Sequence, residues 1–584
     1  MTAISLLLVQ ARATTLSYSS TAAQHIADAS PATVTALFFG ATLVAYLCFK
    51  RFEPGHESPF SLSALLFLIP SLLAVVLRLR FISYLSAVPI AFGAHYTLLL
   101  VYTAIYRLSP FHPLAQYPGP ILPRLSKWYS TYICKTGHLH LWYQQLHNQY
   151  GDIVRVGPNE LSIRDATAIP AVLDAGGLPK GPFWDNRSNP VVLVGERDVE
   201  VHAHRRRTWA RGLTSSATKE YVPFIEKRAR QLMERLGDAV VAGGEKSGEV
   251  NISAWLSYFA TDFMGDMAFG GGFELLKEGG DTLGVWDSFE NGLQAVTPYA
   301  HASWCIPFIQ RIPGLTKSAQ IMKMRAFGKN QTLNRLKSGA QRKDLFYHLS
   351  DEEHSMKVPP SLPTMIADGL LAIIAGSDTT STVLTSVVYF LLRDPEARQR
   401  LQAEIAENFL PGEEPTDSAR LSRMPWLNAC INEAMRLLPP VPSGSQRTVP
   451  RGSGPRVISS SLIPEQTQVQ VHTWSIHRDP RNFASPDAFL PTRWLRDTVS
   501  KAEAPVLTPH NPAAFFPFSH GAANCAGKHL AMLELRVVIS WLFQRFDIEF
   551  AAQGVEGDRW EESLKDNYIF HKGKMWVKIR PRGL

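Results

Sequence analysis

The stretch Phe518-Ser-His-Gly-Ala-Ala-Asn-Cys-Ala-Gly527 places a cysteine between two glycines, with a phenylalanine ahead of it and an apolar run behind it. A cysteine just before a helix N-terminus is expected to have a lowered pKa, and its thiolate is a ready metal ligand. Gly521 and Gly527 permit a tight turn and a close backbone approach to a flat partner. On the iron of a haem, a thiolate donates electron density that favours O–O cleavage. Alone, the loop also reads as a turn around an ordinary cysteine, so it needs support from elsewhere in the chain.

Three other groups offer that support. Ala375-Gly-Ser-Asp-Thr-Thr380 lies in the middle of a long apolar run. Glycine, an acid and hydroxyls are costly in a helix interior. Their hydroxyls can bond back to the preceding turn, bend it, and leave room for water and a proton relay. Asp378 and Thr379 are the pair that would serve it. Glu433-Ala-Met-Arg436 puts opposite charges on one helix face. Phe489-Leu-Pro-Thr-Arg-Trp494 follows His477-Arg-Asp-Pro480 and carries Arg493. Singly, these read as a kinked core helix, a surface ion pair and a loop with a snorkelling arginine.

The elements that must position these residues are mostly helical. Segments 220–237, 363–392, 395–409, 424–438 and 528–546 repeat apolar residues every third or fourth position. Asp152 to Ile163 carries two β-rich runs around Gly-Pro-Asn and predicts a hairpin. Strands are few, and no βαβ alternation occurs. The 584 residues are 45% hydrophobic and 19% charged, a globular composition. The net charge of +8 comes without a basic stripe interleaved with aromatics, so no nucleic-acid partner is expected. Five well-separated cysteines (48, 134, 305, 430 and 525) form neither a CxxC pair nor a CxxCH motif.

The first hundred residues are different. Apolar runs cover 33–49, 62–77 and 81–106, closed by Lys50-Arg51, by Arg78 and Arg80, and by Arg107. The second is interrupted by Pro70. About 20 apolar residues span a bilayer, which the third run meets easily while the other two are slightly short. The basic residues closing the first and third runs favour a cytosolic end, whereas Arg78 and Arg80 would fall on the far side. Gln116-Tyr-Pro-Gly-Pro-Ile-Leu-Pro123 then reads as a stiff linker that cannot continue a helix. The expected division is a membrane anchor over 1–107 with up to three spans, a Pro-rich hinge over 108–123, and a catalytic body over 124–584.

Taken in order, Asp378/Thr379, Glu433/Arg436, Arg493 and Cys525 resemble the cytochrome P450 family. Its members carry the acid–alcohol helix, the ExxR helix, the Pro-x-Arg stretch and the cysteine loop in this sequence. Tyr117-Pro-Gly-Pro, Arg155-Val-Gly-Pro-Asn-Glu-Leu-Ser and Cys-Ala-Gly-Lys are similar to fungal members. The resemblance implies a mainly α fold with small β-sheets, preceded by N-terminal transmembrane helices. It implies haem b with Cys525 as axial ligand to the iron, and Phe518, Gly521 and Gly527 shaping the cofactor loop. It further implies Asp378 and Thr379 as the proton-delivering pair and Glu433, Arg436 and Arg493 as a buried structural triad. Arg206 and Arg447 match positions that meet the haem propionates, and His202 stands where members often have Trp.

One position departs from the pattern. The family's arginine two residues before the cysteine is Ala523 here, which removes a charge-assisted bond worth roughly 1.5–3 kcal/mol. Arg206, Arg447, His520 and Lys528 are the residues that could compensate. The resemblance implies a monooxygenase in the endoplasmic reticulum membrane, facing the cytosol. Electrons would come from a separate NADPH-cytochrome P450 reductase, since no GxGxxG follows a strand. Pocket linings are expected in 370–382, 441–446 and 286–304, apolar enough for a lipophilic substrate, with a terpenoid or other secondary metabolite first. Two other readings stay open: a reductase-independent haem-thiolate isomerase or dehydratase, and a non-catalytic membrane haem-binding protein. The acid–alcohol pair favours the monooxygenase over the first, and NADPH-dependent turnover with a reductase would separate it from the second.

Overall fold

The computed structural model describes residues 24, 28–52, 59–80, 83–242, 248–271, 273–309, 311–312, 319–340, 342–356, 358–495, 508–551 and 559–582. The chain forms two compact units, Met1–Gln116 and Tyr117–Leu584.

Helices α1 (Pro31–Phe52), α2 (Phe60–Leu79) and α3 (Tyr84–Leu108) build the first unit, and each is long and apolar enough to cross a membrane. Twenty residues of helix rise about 30 Å, the thickness of a hydrocarbon core. Lys50 Nζ lies 3.5 Å from the centroid of Tyr106 near the end of α3, whereas Arg78 sits 5.4 Å over Tyr84 at its start. So α1 and α3 run parallel, with α2 antiparallel between their ends. Lys50, Arg51 and Arg107 gather at one end and Arg78 at the other.

Pro70 does not interrupt α2. A π turn at Ala64–Leu68 precedes it and the helix continues. A proline cannot donate to the carbonyls one turn back. Side chains of α3 take over: Tyr96 donates to the Leu66 carbonyl at 2.8 Å and His95 Nε2 to that of Leu65 at 3.0 Å. His95 Nδ1 then accepts from the Thr42 hydroxyl at 3.0 Å. Every polar group freed by the proline is thus satisfied inside the unit, as an apolar solvent requires.

The second unit is mainly helical with small sheets. After a short helix at Ile121–Leu125, the expected hairpin forms as β1 (Ile153–Gly157) and β2 (Glu160–Ile163). The 116–123 stretch does not continue α3, and a new short helix starts within it. Pro123 falls in its first turn, where an N–H has no intrahelical acceptor. Helix α4 (Val199–Gly212) is capped by Asp198, whose carboxylate accepts from the N–H groups of Glu200 and Val201. Helix α5 (Ile252–Phe269) is buried along almost its whole length, and α6 (Val285–Ala300) follows.

Helix α7 (Leu362–Arg393) is the long central element. Ser361 caps its start, and Asp394 caps the following helix Pro395–Asn408 by accepting from Ala397 N at 2.9 Å. Gly369 and Gly376 let α5 and α7 pack closely. A Cβ at 369 would lie 2.7 Å from the Phe269 ring, and one at 376 would lie 2.5 Å from Met264 Sδ. Helix α8 (Pro425–Leu437) lacks a local cap; Glu404 supplies one, accepting from Trp426 N at 2.7 Å and Leu427 N at 2.8 Å. Strands β3 (Arg447–Thr448) and β4 (Gln468–Val471) complete a sheet of order β1-β2-β4-β3, in which β2 and β4 are parallel. Helix α9 (Lys528–Arg545) follows the cysteine loop, and β5 (Lys565–Asn567) pairs with β6 (Ile569–His571).

Candidate active site around Cys525

A cavity of about 300 Å³ opens in the second unit, and Cys525 and Thr379 both line it. The cysteine loop is set by its own backbone: Cys525 N donates to Phe518 O at 2.8 Å and Asn524 N to Gly521 O at 3.1 Å. Gly521 has φ +70°, and a Cβ there would strike the Leu173 carbonyl, so this glycine serves the turn. A Cβ on Gly527 would meet nothing, and Gly527 lines the cavity. Only the second glycine therefore suits a flat partner.

The lowered thiol pKa expected for Cys525 is not found. Burial pushes it up further than the Gly527 N–H, Arg206 and Lys528 pull it down. A coordinated metal ion would itself remove the proton.

Helix α7 gives the opposite apolar wall, through Leu371, Ala372, Ala375, Gly376, Thr379 and Val383. The Thr379 hydroxyl bonds back to Ala375 O at 2.6 Å, yet the helix stays continuous. Asp378 is not in the lining. It lies about 100° round the helix from Thr379, and burial raises its pKa against the opposing pull of Lys572. Of the expected linings, 370–382 and 441–446 contribute, while 286–304 contributes no residue. Leu193, Val194, Leu345 and Tyr568 line the cavity instead. Tyr568 sits at the β5–β6 turn with φ +77°, a strained conformation for a bulky residue.

One part of the lining is cationic. Arg206, Arg447, His202 and Lys180 all line the cavity. Arg206 donates to the Asn524 carbonyl at 2.7 Å and to its side-chain oxygen at 2.9 Å. Arg447 is held by β3 pairing and by an isolated bridge to Lys180, and its Nε is buried without a partner. Among the described residues Lys180 Nζ donates to the Leu193 carbonyl alone, at 2.9 Å. Burial, with Arg447 as the main cationic neighbour, brings Lys180 down to about 7. Burial, Lys180, Arg206 and Arg447 bring His202 down to about 4. Such a cluster is stable only opposite anions.

His520 and Lys528 do not join this cluster. His520 turns to Asp174 at 3.8 Å and Lys528 lies 5.8 Å over the Phe518 ring. The basic run 205–207 also divides: Arg205 pairs with Asp368 at 2.7 Å and ties α4 to α7, and Arg207 meets His204.

Glu433, Arg436 and Arg493 come together with side chains 0% exposed. Arg436 reaches both Glu433 oxygens at 2.8 and 2.9 Å, and Arg493 Nε reaches Oε1 at 3.0 Å. Burial would raise the Glu433 pKa, but the two guanidiniums hold it below the usual range. Trp494 Nε1 donates to the same carboxylate at 2.9 Å.

His477 joins this group to the cysteine loop. Its Nδ1–H faces Arg436 O at 3.2 Å, so Nε2 is the acceptor for Phe516 N at 3.2 Å. Burial and Arg436 push its pKa down to about 3, keeping the ring neutral. Sequence reasoning missed Lys180, Trp494 and His477. The last stood inside the His477-Arg-Asp-Pro480 stretch, which was the available signal.

The family described as Cytochrome P450 matches residues 118–574. The chain belongs to the cytochrome P450 family. It is 34% identical over 476 residues to cytochrome P450 monooxygenase FCK2 of Fusarium pseudograminearum, covering 80% of this chain and 82% of that one. Cytochrome P450 67 of Uromyces fabae is 32% identical over 537 residues, 90% and 95% of the two chains. Tryprostatin B 6-hydroxylase of Neosartorya fischeri is 31% identical over 501 residues, 83% and 85% of the two. The protein is therefore a P450 monooxygenase, of a family that binds haem through a cysteine thiolate.

The residues present fit that cofactor. The thiol of Cys525, the open face of Gly527 and the cationic cluster share one cavity. Among the described residues no three His, Cys, Asp or Glu side chains converge as a metal site, so an iron at Cys525 would bring its remaining ligands in a macrocycle.

Proposed function

We propose that this P450 inserts one oxygen atom from O2 into a lipophilic small molecule, a terpenoid or other secondary metabolite, using electrons from an NADPH-dependent P450 reductase. The observation that carries it is Cys525 and Thr379 lining one cavity with apolar walls. Haem b, when bound at Cys525, supplies oxygen binding and one-electron chemistry. Arg206, Arg447 and Lys180 would hold its propionates, with Lys180 standing in for the arginine absent at 523. Leu371, Ala372 and Val383 exclude water and hold the substrate by apolar burial. Thr379 presents a hydroxyl proton at Oγ1, resupplied through Asp378. Glu433, Arg436 and Arg493 keep the cysteine loop in place.

Exposed Lys528, just after the loop, supplies positive charge for docking an acidic reductase face. Lys50, Arg51 and Arg107 at one end of the three-helix unit support endoplasmic-reticulum anchorage with the catalytic unit in the cytosol. The Tryprostatin B 6-hydroxylase name of one relative supports oxygenation of a secondary metabolite.

The deciding measurement is the difference spectrum of the reduced, carbon-monoxide-bound protein. A strongly red-shifted Soret band is expected, and Cys525→Ala should lose it. A folded protein without haem absorption overturns the reading. Co-expression with a reductase and product analysis then identifies the substrate.

A further inference from the structure

Asp378 does not line the cavity, and its cationic neighbour is Lys572. Just after β6, Lys572 is buried, 8% exposed, and its Nζ donates to Ser381 Oγ at 2.9 Å. Ser381 in turn donates to the Asp378 carbonyl at 3.3 Å, so Lys572 is fastened to the turn of α7 that carries the acid. Glu290 of α6 is its other acidic neighbour. The Glu290 carboxyl lies 3.7 Å from His571 Nδ1, and the His571 side chain is 30% exposed against 13% for Glu290. Exposure thus falls from His571 through Glu290 to Lys572, and Lys572 is the cationic neighbour of Asp378.

We propose that this line is the proton entry path of the enzyme, with Glu290 and Lys572 as positioning residues that reload Asp378. The proposal rests on the monooxygenase reading above. The Lys572 ammonium passes one proton to the Asp378 carboxylate and takes one from the Glu290 carboxylic acid. Glu290 is reprotonated from water through His571. When Asp378 has handed its proton to the Thr379 hydroxyl, every group is back in its starting state and no electron has moved.

The electrostatics favour such exchange. Burial pushes Glu290 up to about 8, opposed by Lys572 and assisted by Asp378 and Asp287. Burial lowers Lys572, and Glu290 and Asp378 pull it back up. Burial raises Asp378, opposed by Lys572. His571 is brought down to about 4 by burial, Lys572 and Lys565. Acid and base are thus drawn toward each other, the condition under which proton transfer is easy in both directions.

Two readouts test the path on the full-length, detergent-solubilised protein. The first is an infrared titration that does not depend on turnover. A protonated-carboxyl band should vanish with a midpoint of about 8. It should be missing in Glu290→Gln and shift to higher pH in Lys572→Met, which lacks the opposing cation. A band unchanged by Glu290→Gln, or no band titrating in that region, overturns the proposal.

The second is reductase-driven oxygen consumption in light and heavy water. Glu290→Gln should slow it by about a hundredfold, the lower bound for a positioned proton donor, with a larger solvent isotope effect. Glu290→Asp should restore most of the rate. Unchanged rate and isotope effect in Glu290→Gln would also overturn it. Should Glu290→Gln not fold, Lys572→Met carries both readouts. Loss of the carbon-monoxide band in the unaltered protein would instead strike the monooxygenase reading, leaving the titration interpretable.

Discussion

Helices α3 and α7 are both long and apolar enough to cross a membrane, yet the two units use them oppositely. Only 11% of the apolar window of α3 is buried within the protein, against 67% for α7. Leu85, Leu100 and Ile105 on α3 stand exposed, as side chains facing lipid would. On α7, Ser377, Thr380, Ser381, Thr382, Thr385 and Ser386 are buried instead. Several bond back along the helix, such as Thr385 to Ser381 O at 2.7 Å and Ser386 to Thr382 O at 2.8 Å. Hydropathy alone does not separate the two environments. Small residues at close contacts and a row of buried hydroxyls do, because a core must be filled and a lipid face need only be apolar.

The sharpest test of that contrast is Glu433→Ala. It leaves two guanidiniums buried without their carboxylate and should cost about 3–5 kcal/mol, read as lost folded yield and a lower Tm. The catalytic unit should also fail in acid. His477 is pushed down to about 3, as is His140, and His147 to about 4. Unfolding restores a His pKa of about 6.5, so the unfolded state binds more protons below that pH. This contribution is complete above pH of about 6.5 and drains away as pH falls toward the folded values. Thermal scans at stepped pH should show Tm dropping through that window, and a flat Tm would refute it.

A smaller effect separates two glycines. Gly376→Val on α7 drives into Met264 and should cost about 1–3 kcal/mol. Gly93→Val on α3, where nothing lies within 4 Å, should leave Tm unmoved within about 0.5 kcal/mol. Equal responses would erase the distinction between the helices. Smallest is Thr42→Val, which removes the hydroxyl from His95 and should cost about 0.6 kcal/mol in unfolding of the three-helix unit.

Much of the catalytic unit could be read before its structure. Leu362–Arg393, Pro425–Leu437 and Lys528–Arg545 lie within a residue or two of their apolar periodicity, because each buries a wide stripe. Motif spacing brought out Cys525, Thr379 and the Glu433 group for the same local reasons. What failed was relational. Asp378 and Thr379 were named together as cavity residues, but one residue of helix turns them onto different faces and only Thr379 lines the cavity. Lys180 and Lys572 stand in unremarkable stretches and gain meaning only from a bridge to Arg447 and a contact with Ser381. Segment 286–304 was expected to line the cavity by composition, but its apolar residues pack elsewhere. Pro70 looked like a break because the rescuing groups, His95 and Tyr96, sit on another helix.

The two-faced imidazole of His477 has a consequence for assembly. One nitrogen serves the Arg436 backbone and the other the residue that leads into the cysteine loop, so neither bond keeps its geometry if the other segment is displaced. Docking of the ion triad and shaping of the metal-binding loop become a single cooperative event. A chain whose loop is deformed then carries a weakened triad as well, and cofactor loading doubles as an inspection of how well the body has folded.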